Sequence, residues 1–331
     1  MKDTKTLLVA SAPYIKQGDT VRTIMLDVVI ALIPALAWAV YMFGVRVLTV
    51  TAVSVISSVL FEYLFQKIVK RPVTVLDFSA VVTGMLLAFT LPVSVALWVP
   101  VIGAFIAVVI AKQLLSMIGK NIINPVLTAR VALYLVFPNK INGYVQPLGD
   151  KLDAFSVNAG DIIAGATPLA SLKEGIAPDI GIFDLFIGNK SGCIGEISVM
   201  LLIIGGLYLL LRRVITWHIP IAFLGTVAVL TFLFPQAQSV QAYEFMLIEL
   251  CSGALVLGAV FMATDYMSSP VTSTGRIIYG IGCGVITVCI RYFAPLTEGV
   301  AAAILIMNLL SRQLDIRTRS KPFGYVSKSK N

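Results

Sequence analysis

The chain has 331 residues, 58% of them hydrophobic and only 13% charged, with a mean hydropathy of +0.93 and a formal net charge of +8. Ordinary soluble domains carry about 25% charged residues, so this composition excludes a soluble enzyme and marks an all-α polytopic membrane protein. The basic excess does not describe a nucleic-acid surface, because the Lys and Arg residues lie between and after apolar runs, as positive-inside flanks do.

Residues 1–21 carry Lys2, Lys5 and Lys16 around too short an apolar core for a signal peptide, and form an expected cytoplasmic N-terminal segment. About ten apolar segments follow: 23–43, 45–66, 77–91, 95–115, 122–137, 195–211, 214–234, 246–263, 276–291 and 297–311. A full span needs about 20 residues, and 77–91, 122–137 and 297–311 fall short of it. Placing Lys67, Lys70 and Arg71 inside also puts Lys112, Lys120, Arg212, Arg213 and Arg276 inside, with the basic tail 312–331. Both termini are then cytoplasmic and residues 138–194 form a long extracytoplasmic loop. The membrane halves are 22–137 and 195–311. With an odd number of spans each, and short proline-led segments at Pro125 and Pro295, they read as an inverted repeat with a site at its interface.

Four places could carry chemistry. Asn124-Pro125-Val126-Leu127-Thr128-Ala129-Arg130 is a competent helix start, with Asn as N-cap and Pro at the first helical position. Arg130 lies inside an apolar run, where a charge needs a partner. Two explanations stand level: an ion pair with an acid such as Asp77 or Glu249, or a ligand site shared with Asn124 and Thr128. Asp265 precedes the hydroxyl-rich turn at Ser268, Ser269 and Pro270. There a helix cap is the simpler account and a cation ligand the sharper one. The four cysteines form no C-x-x-C pair, and three sit in apolar runs as core filler, which leaves no metal site to this chain alone. Finally, Asp161-Ile162-Ile163-Ala164-Gly165-Ala166-Thr167 presents an exposed Thr before Pro168. An uncharged Thr is no nucleophile without help. No acid/base pair, P-loop or dinucleotide fingerprint appears in the sequence, so no complete catalytic site is expected.

That last stretch resembles the flavinylation motif D-x-x-[S/T]-G-A-T, with Ala164 where the motif has Ser or Thr. "NPVLTAR", "ATDYMSSPVTSTGRIIYG" and the opening "SAPYIKQGDTVRTIMLDVVIALIPALAWAVYMFG" resemble further signatures of the same family, in order along the chain. Within them Tyr266 and "APY" are departures from the usual residues. The family is that of the D subunit of Rnf complexes, related to the B subunit of sodium-pumping NADH:quinone reductase, and the short N-terminal segment favours the former. The resemblance implies a multi-pass protein of the bacterial inner membrane, working in electron transfer between ferredoxin and NAD⁺ coupled to transport of Na⁺ or H⁺. It implies FMN in phosphoester linkage to Thr167, attached by a flavin transferase that recognises Asp161, Gly165 and Ala166. A second, non-covalent flavin (riboflavin or FMN) is implied near Asn124, Thr128 and Arg130. The sharper account of Asp265, a carboxylate beside the Ser268, Ser269 and Pro270 break, puts it in the ion path. Sister subunits are the implied partners. The rival classes are a channel or solute transporter of inverted-repeat type, and a structural scaffold.

Overall fold

In lipid every backbone polar group must be satisfied within the protein, and helices do this segment by segment. The computed structural model describes residues 20–115, 123–147, 167–176, 178, 180–237, 240–294 and 298–319, and among these the regular structure is helical. Each apolar segment marked in the sequence lies on a helix. In chain order these are α1 (Val21–Phe43), α2 (Arg46–Ile68), α3 (Ser79–Phe89), α4 (Trp98–Leu114) and α5 (Pro125–Val136). Three short helices follow in the long connection: α6 (Pro138–Ile141), α7 (Pro168–Lys173) and α8 (Ile182–Ile187). Then come α9 (Val199–Leu211), α10 (His218–Leu233), the bent pair α11 (Ala242–Cys251) and α12 (Leu255–Met262), α13 (Ser273–Phe293) and α14 (Val300–Thr318).

By length and composition α1, α2 and α13 can each cross a membrane, and the bent pair α11–α12 can count as a fourth span. The other apolar helices are shorter. Their caps are local and legible: Thr20 and Thr23 form a capping box at α1, and Asn124 accepts from the Val126 N–H (3.0 Å) at α5.

Helices approach closely where one side lacks a side chain. A Cβ on Gly84 of α3 would meet the Val55 Cα at 2.7 Å, and one on Gly280 of α13 would meet the Ala222 Cβ at 2.8 Å. The packing partners follow a pattern. α2 lies on α3 and α4, and α10 lies on α11 and α13; α4 packs on α5, and α13 on α14; α1 meets α9, and α5 meets α14.

The end of the long connection packs into the protein. Residues 190–199 are buried, and the Ile194 and Gly195 N–H groups donate to the Leu91 and Phe89 carbonyls at 3.0 and 2.9 Å. Lys190, Ser191 and Glu196 are thus polar residues held inside the fold.

Candidate functional site

Two polar regions stand out among the described residues. The first is a cavity of about 390 Å³ between α1, α3, α9 and α12, closed by the end of α4 and the start of α5. Its walls are mostly apolar, with polar groups from Asp77, Ser79, Lys112, Asn124, Thr264 and Asp265. Two stretches wound with π-helical bonding, Ile106–Leu114 and Gly258–Met262, contribute Lys112 to one wall and Val260 and Phe261 to another. Such stretches re-aim side chains that a regular helix would stack elsewhere.

The polar groups here are held in place. Lys112 donates from Nζ to Glu62 Oε1 (2.8 Å) and Ser79 Oγ (2.7 Å), and Ser79 donates onward to Asp77 Oδ1 (2.6 Å). Asn124 caps α5 and donates from Nδ2 to the Met262 carbonyl (3.1 Å), tying α5 to the end of α12. Asp265 accepts from the Met267 N–H (3.3 Å) and from Ser268 Oγ (3.2 Å). Burial pushes its carboxyl above the usual range, and those two hydrogen bonds partly counter the shift. Asp265 thus makes the local turn expected of a cap and faces the cavity as well.

The second region is a buried charged cluster. α11 breaks at Ser252-Gly253-Ala254, with Gly253 at φ +60°, and α12 leaves at 61° to α11. The break frees carbonyls that must find donors. Arg291 supplies them, from Nη1 to the Glu249 carbonyl (2.8 Å) and from Nη2 to that of Ser252 (3.1 Å), and it also pairs with the Glu249 carboxylate. Lys190, 1% exposed, donates to the Cys251 carbonyl. Beside them Arg130 Nη2 lies 3.3 Å from Glu298 Oε2 and 3.7 Å from Cys193 Sγ, and Tyr144 donates to Glu298 Oε1 (3.3 Å). Glu196, 4% exposed, lies in the same cluster, and burial lowers the Lys190 ammonium.

The sequence-derived site residues divide between these regions. Asn124 and Asp265 reach the cavity. Thr128 gives its hydroxyl to the Asn124 carbonyl (2.8 Å) and does not line the cavity. Arg130 belongs to the charged cluster, and its carboxylate is Glu298, not Asp77 or Glu249. Of Asn124, Thr128 and Arg130, only Asn124 lines the cavity. Thr167 is not the exposed residue expected: it is 9% exposed, and its Oγ1 caps α7 by accepting from the Ala170 N–H (3.3 Å). Leu169 and Leu172, the apolar side of α7, are buried against the region of Gly253, Glu249 and Arg291. Asp161, Gly165 and Ala166 lie outside the described residues. Of the cysteines, Cys193, Cys251 and Cys283 are buried and Cys289 is exposed. Cys251 and Cys283 are thus buried as core filler should be, whereas exposed Cys289 is not the filler expected; Cys193, outside the apolar runs, sits with Glu196 and Glu298 in a group of ligand-type atoms. Sequence reasoning missed Lys190, Glu196 and Glu298, whose only signal was a charge at the edge of an apolar run.

An all-helical membrane protein with a broken helix over buried ion pairs, and a ligand-sized cavity, is the class that the fold defines. The chain belongs to the NQR2, RnfD, RnfE family, which matches residues 8–324. It is 42% identical to the D subunit of the Na(+)-translocating ferredoxin:NAD(+) oxidoreductase complex of Acetobacterium woodii, over 96% of this chain and 95% of the relative. It is 36% identical to the D subunit of the proton-translocating ferredoxin:NAD(+) oxidoreductase complex of Clostridium ljungdahlii, over 96% of both chains. A third relative, the D subunit of the ion-translocating oxidoreductase complex of Stutzerimonas stutzeri, is 35% identical over 94% of both.

Proposed function

We propose that this chain is the flavin-carrying membrane component of an ion-translocating ferredoxin:NAD⁺ oxidoreductase, with FMN in phosphoester linkage to Thr167. The observation that carries the assignment to such a complex is the near full-length similarity to relatives named as its D subunits, and the flavin rests on the motif that ends at Thr167. Thr167 fits attachment chemically. Its Oγ1 serves α7 as an acceptor, and an ester oxygen keeps that capacity while losing only the proton. Leu169 and Leu172 then hold the attachment point against the body of the protein.

The cavity is the proposed seat of the second, non-covalent flavin. Its volume lies within the usual range for small-ligand sites, about 300–1,000 Å³, and few polar groups among apolar walls is the usual lining. A bound flavin supplies the redox chemistry, and the protein orients it and tunes its electronics. Here Lys112 links Glu62 and Ser79 at the wall, Asn124 fixes the position of α5, and α1 and α12 supply apolar faces. Thr128 and Arg130 act at a distance from that ligand. Asp265, facing the same cavity, is the proposed ion-path carboxylate.

The packing pattern supports ten spans in two inverted five-helix units. Matching α1–α5 with α9, α10, the pair α11–α12, α13 and α14 reproduces the main contacts of one half in the other. The charge distribution supports cytoplasmic termini in a bacterial cell membrane. In a background lacking the four native cysteines, Ser156→Cys should react with an impermeant reagent in intact cells and Ser327→Cys should not; the reverse pattern inverts the orientation.

The test of function is co-expression with a flavin transferase. Wild type should keep flavin fluorescence on a denaturing gel and Thr167→Val should lose it. Fluorescence retained by the variant overturns the attachment site, and a dark wild type favours a plain channel or transporter.

A further inference from the structure

We propose that the groove between α10 and α13 holds an acyl chain of an anionic phospholipid, whose phosphate meets Arg213 and Arg276 at the groove's mouth. The groove, about 440 Å³, follows α10 from Trp217 to Leu230, with Ile277 and Ile281 of α13 as its other side. Its length along the helix is roughly 20 Å. That suffices for one leaflet of a hydrocarbon core about 30 Å thick. The floor is Gly225, where a Cβ would meet no atom within 4 Å. Thr226 beside it donates its hydroxyl to the Ala222 carbonyl (2.7 Å), so its polar atom is already satisfied within the helix. Such a surface suits a hydrocarbon chain.

The mouth selects the head group. Trp217 stacks on His218 with ring centroids 4.2 Å apart, and Trp in a membrane protein favours the head-group level. Arg276, next to Ile277, donates from Nη1 to Thr216 Oγ1 (3.1 Å) and from Nε to the Pro270 carbonyl (3.0 Å). These bonds hold its guanidinium at this end of the groove, and Nη2 has no hydrogen-bond partner among the described residues. Arg213 is exposed in the turn before Trp217, at φ +59°. Neither arginine pairs with a carboxylate among the described residues, whereas Arg212 pairs with Asp27. Asp315 of α14 accepts instead from the Val271 and Thr272 N–H groups (2.9 and 3.3 Å). Two arginines without acids above an apolar channel complement a phosphodiester on a hydrocarbon tail. A helix of a sister subunit would suit the small residues Ala222 and Gly225 but leave both charges unanswered. The inference rests on this groove and not on the flavin reading.

The test follows thermal unfolding of the purified full chain in detergent while dioleoyl phosphatidylglycerol or dioleoyl phosphatidylcholine is added. A ligand that binds only the folded state raises stability with its concentration, so each titration gives a midpoint. Phosphatidylglycerol should stabilise at a midpoint at least tenfold below that of phosphatidylcholine, and glycerol phosphate, the head without tails, should do nothing. Gly225→Leu fills the groove where no protein atom stands in the way, and should raise the phosphatidylglycerol midpoint at least tenfold. Ile56→Phe, on the exposed side of α2, should leave it in place. Replacing both arginines, Arg213→Gln with Arg276→Gln, should make the two lipids equal. If that double variant does not fold, Arg213→Gln alone should narrow the preference severalfold. A Gly225→Leu midpoint equal to wild type, equal response of the wild type to both lipids, or stabilisation by glycerol phosphate alone overturns the site. So does a Gly225→Leu chain that keeps its lipid midpoint and loses its sister subunits, which would make the groove a helix interface.

Discussion

The cavity and the charged cluster hold their polar groups differently. Around the cavity local bonds, as in the Asp77–Ser79 and Asp265–Ser268 contacts, stand beside long-range ones, Lys112 to Glu62 across 50 residues and Asn124 to Met262 across 138. There the Lys112 side chain keeps 17% exposure. In the cluster both members of the Arg291–Glu249 pair are 5% exposed or less, and Arg130 meets Glu298 across 168 residues. The Arg291–Glu249 pair cannot lose a member without leaving a buried charge behind.

That contrast can be broken most sharply at the ion pair of Glu249 and Arg291. Both side chains are about 5% exposed or less, and removing one partner of such a pair typically costs about 3–5 kcal/mol. Glu249→Ala should therefore lower the melting temperature of the purified chain more than any cavity substitution. A variant as stable as wild type would show that the cluster is hydrated.

Asn124→Ala is the corresponding cut at the cavity. It removes an N-cap and the bond to the Met262 carbonyl, and should cost about 1–2 kcal/mol by thermal unfolding. Extractable flavin should fall in this variant while flavin on Thr167 stays. Equal loss of both would mean that the two regions are not separable.

The smallest effect is expected at Asp265. Its carboxyl titrates above the ordinary value because burial disfavours the charged form, so the folded state holds this proton more tightly than the unfolded state. The wild type should lose stability as pH rises from the ordinary carboxylate range through the raised value, and Asp265→Asn should remove that slope. Parallel pH curves for the two proteins would refute the assignment.

Sequence made the apolar segments legible because hydropathy is a local property, and α1 to α5 and α9 to α14 follow the marked segments closely. Caps were legible for the same reason, as at Asn124. The breaks were not: nothing in Ser252-Gly253-Ala254 announces a 61° bend whose carbonyls recruit Arg291 and Lys190. Arg130 was rightly marked as needing a partner. Its partner could not be found, because Glu298 is remote in sequence and looks like an ordinary loop acid. Thr167 shows the reverse error, since small polar neighbours suggest exposure while Leu169 and Leu172 draw the start of α7 inward.

The central claim is that Thr167 carries the flavin, and peptide mass spectrometry tests it most directly. The chain, co-expressed with a flavin transferase and digested, should yield the peptide containing Thr167 with the mass of FMN less one water, the fragment ions placing the addition on that residue. An unmodified Thr167 peptide from a complex that still transfers electrons would contradict the account.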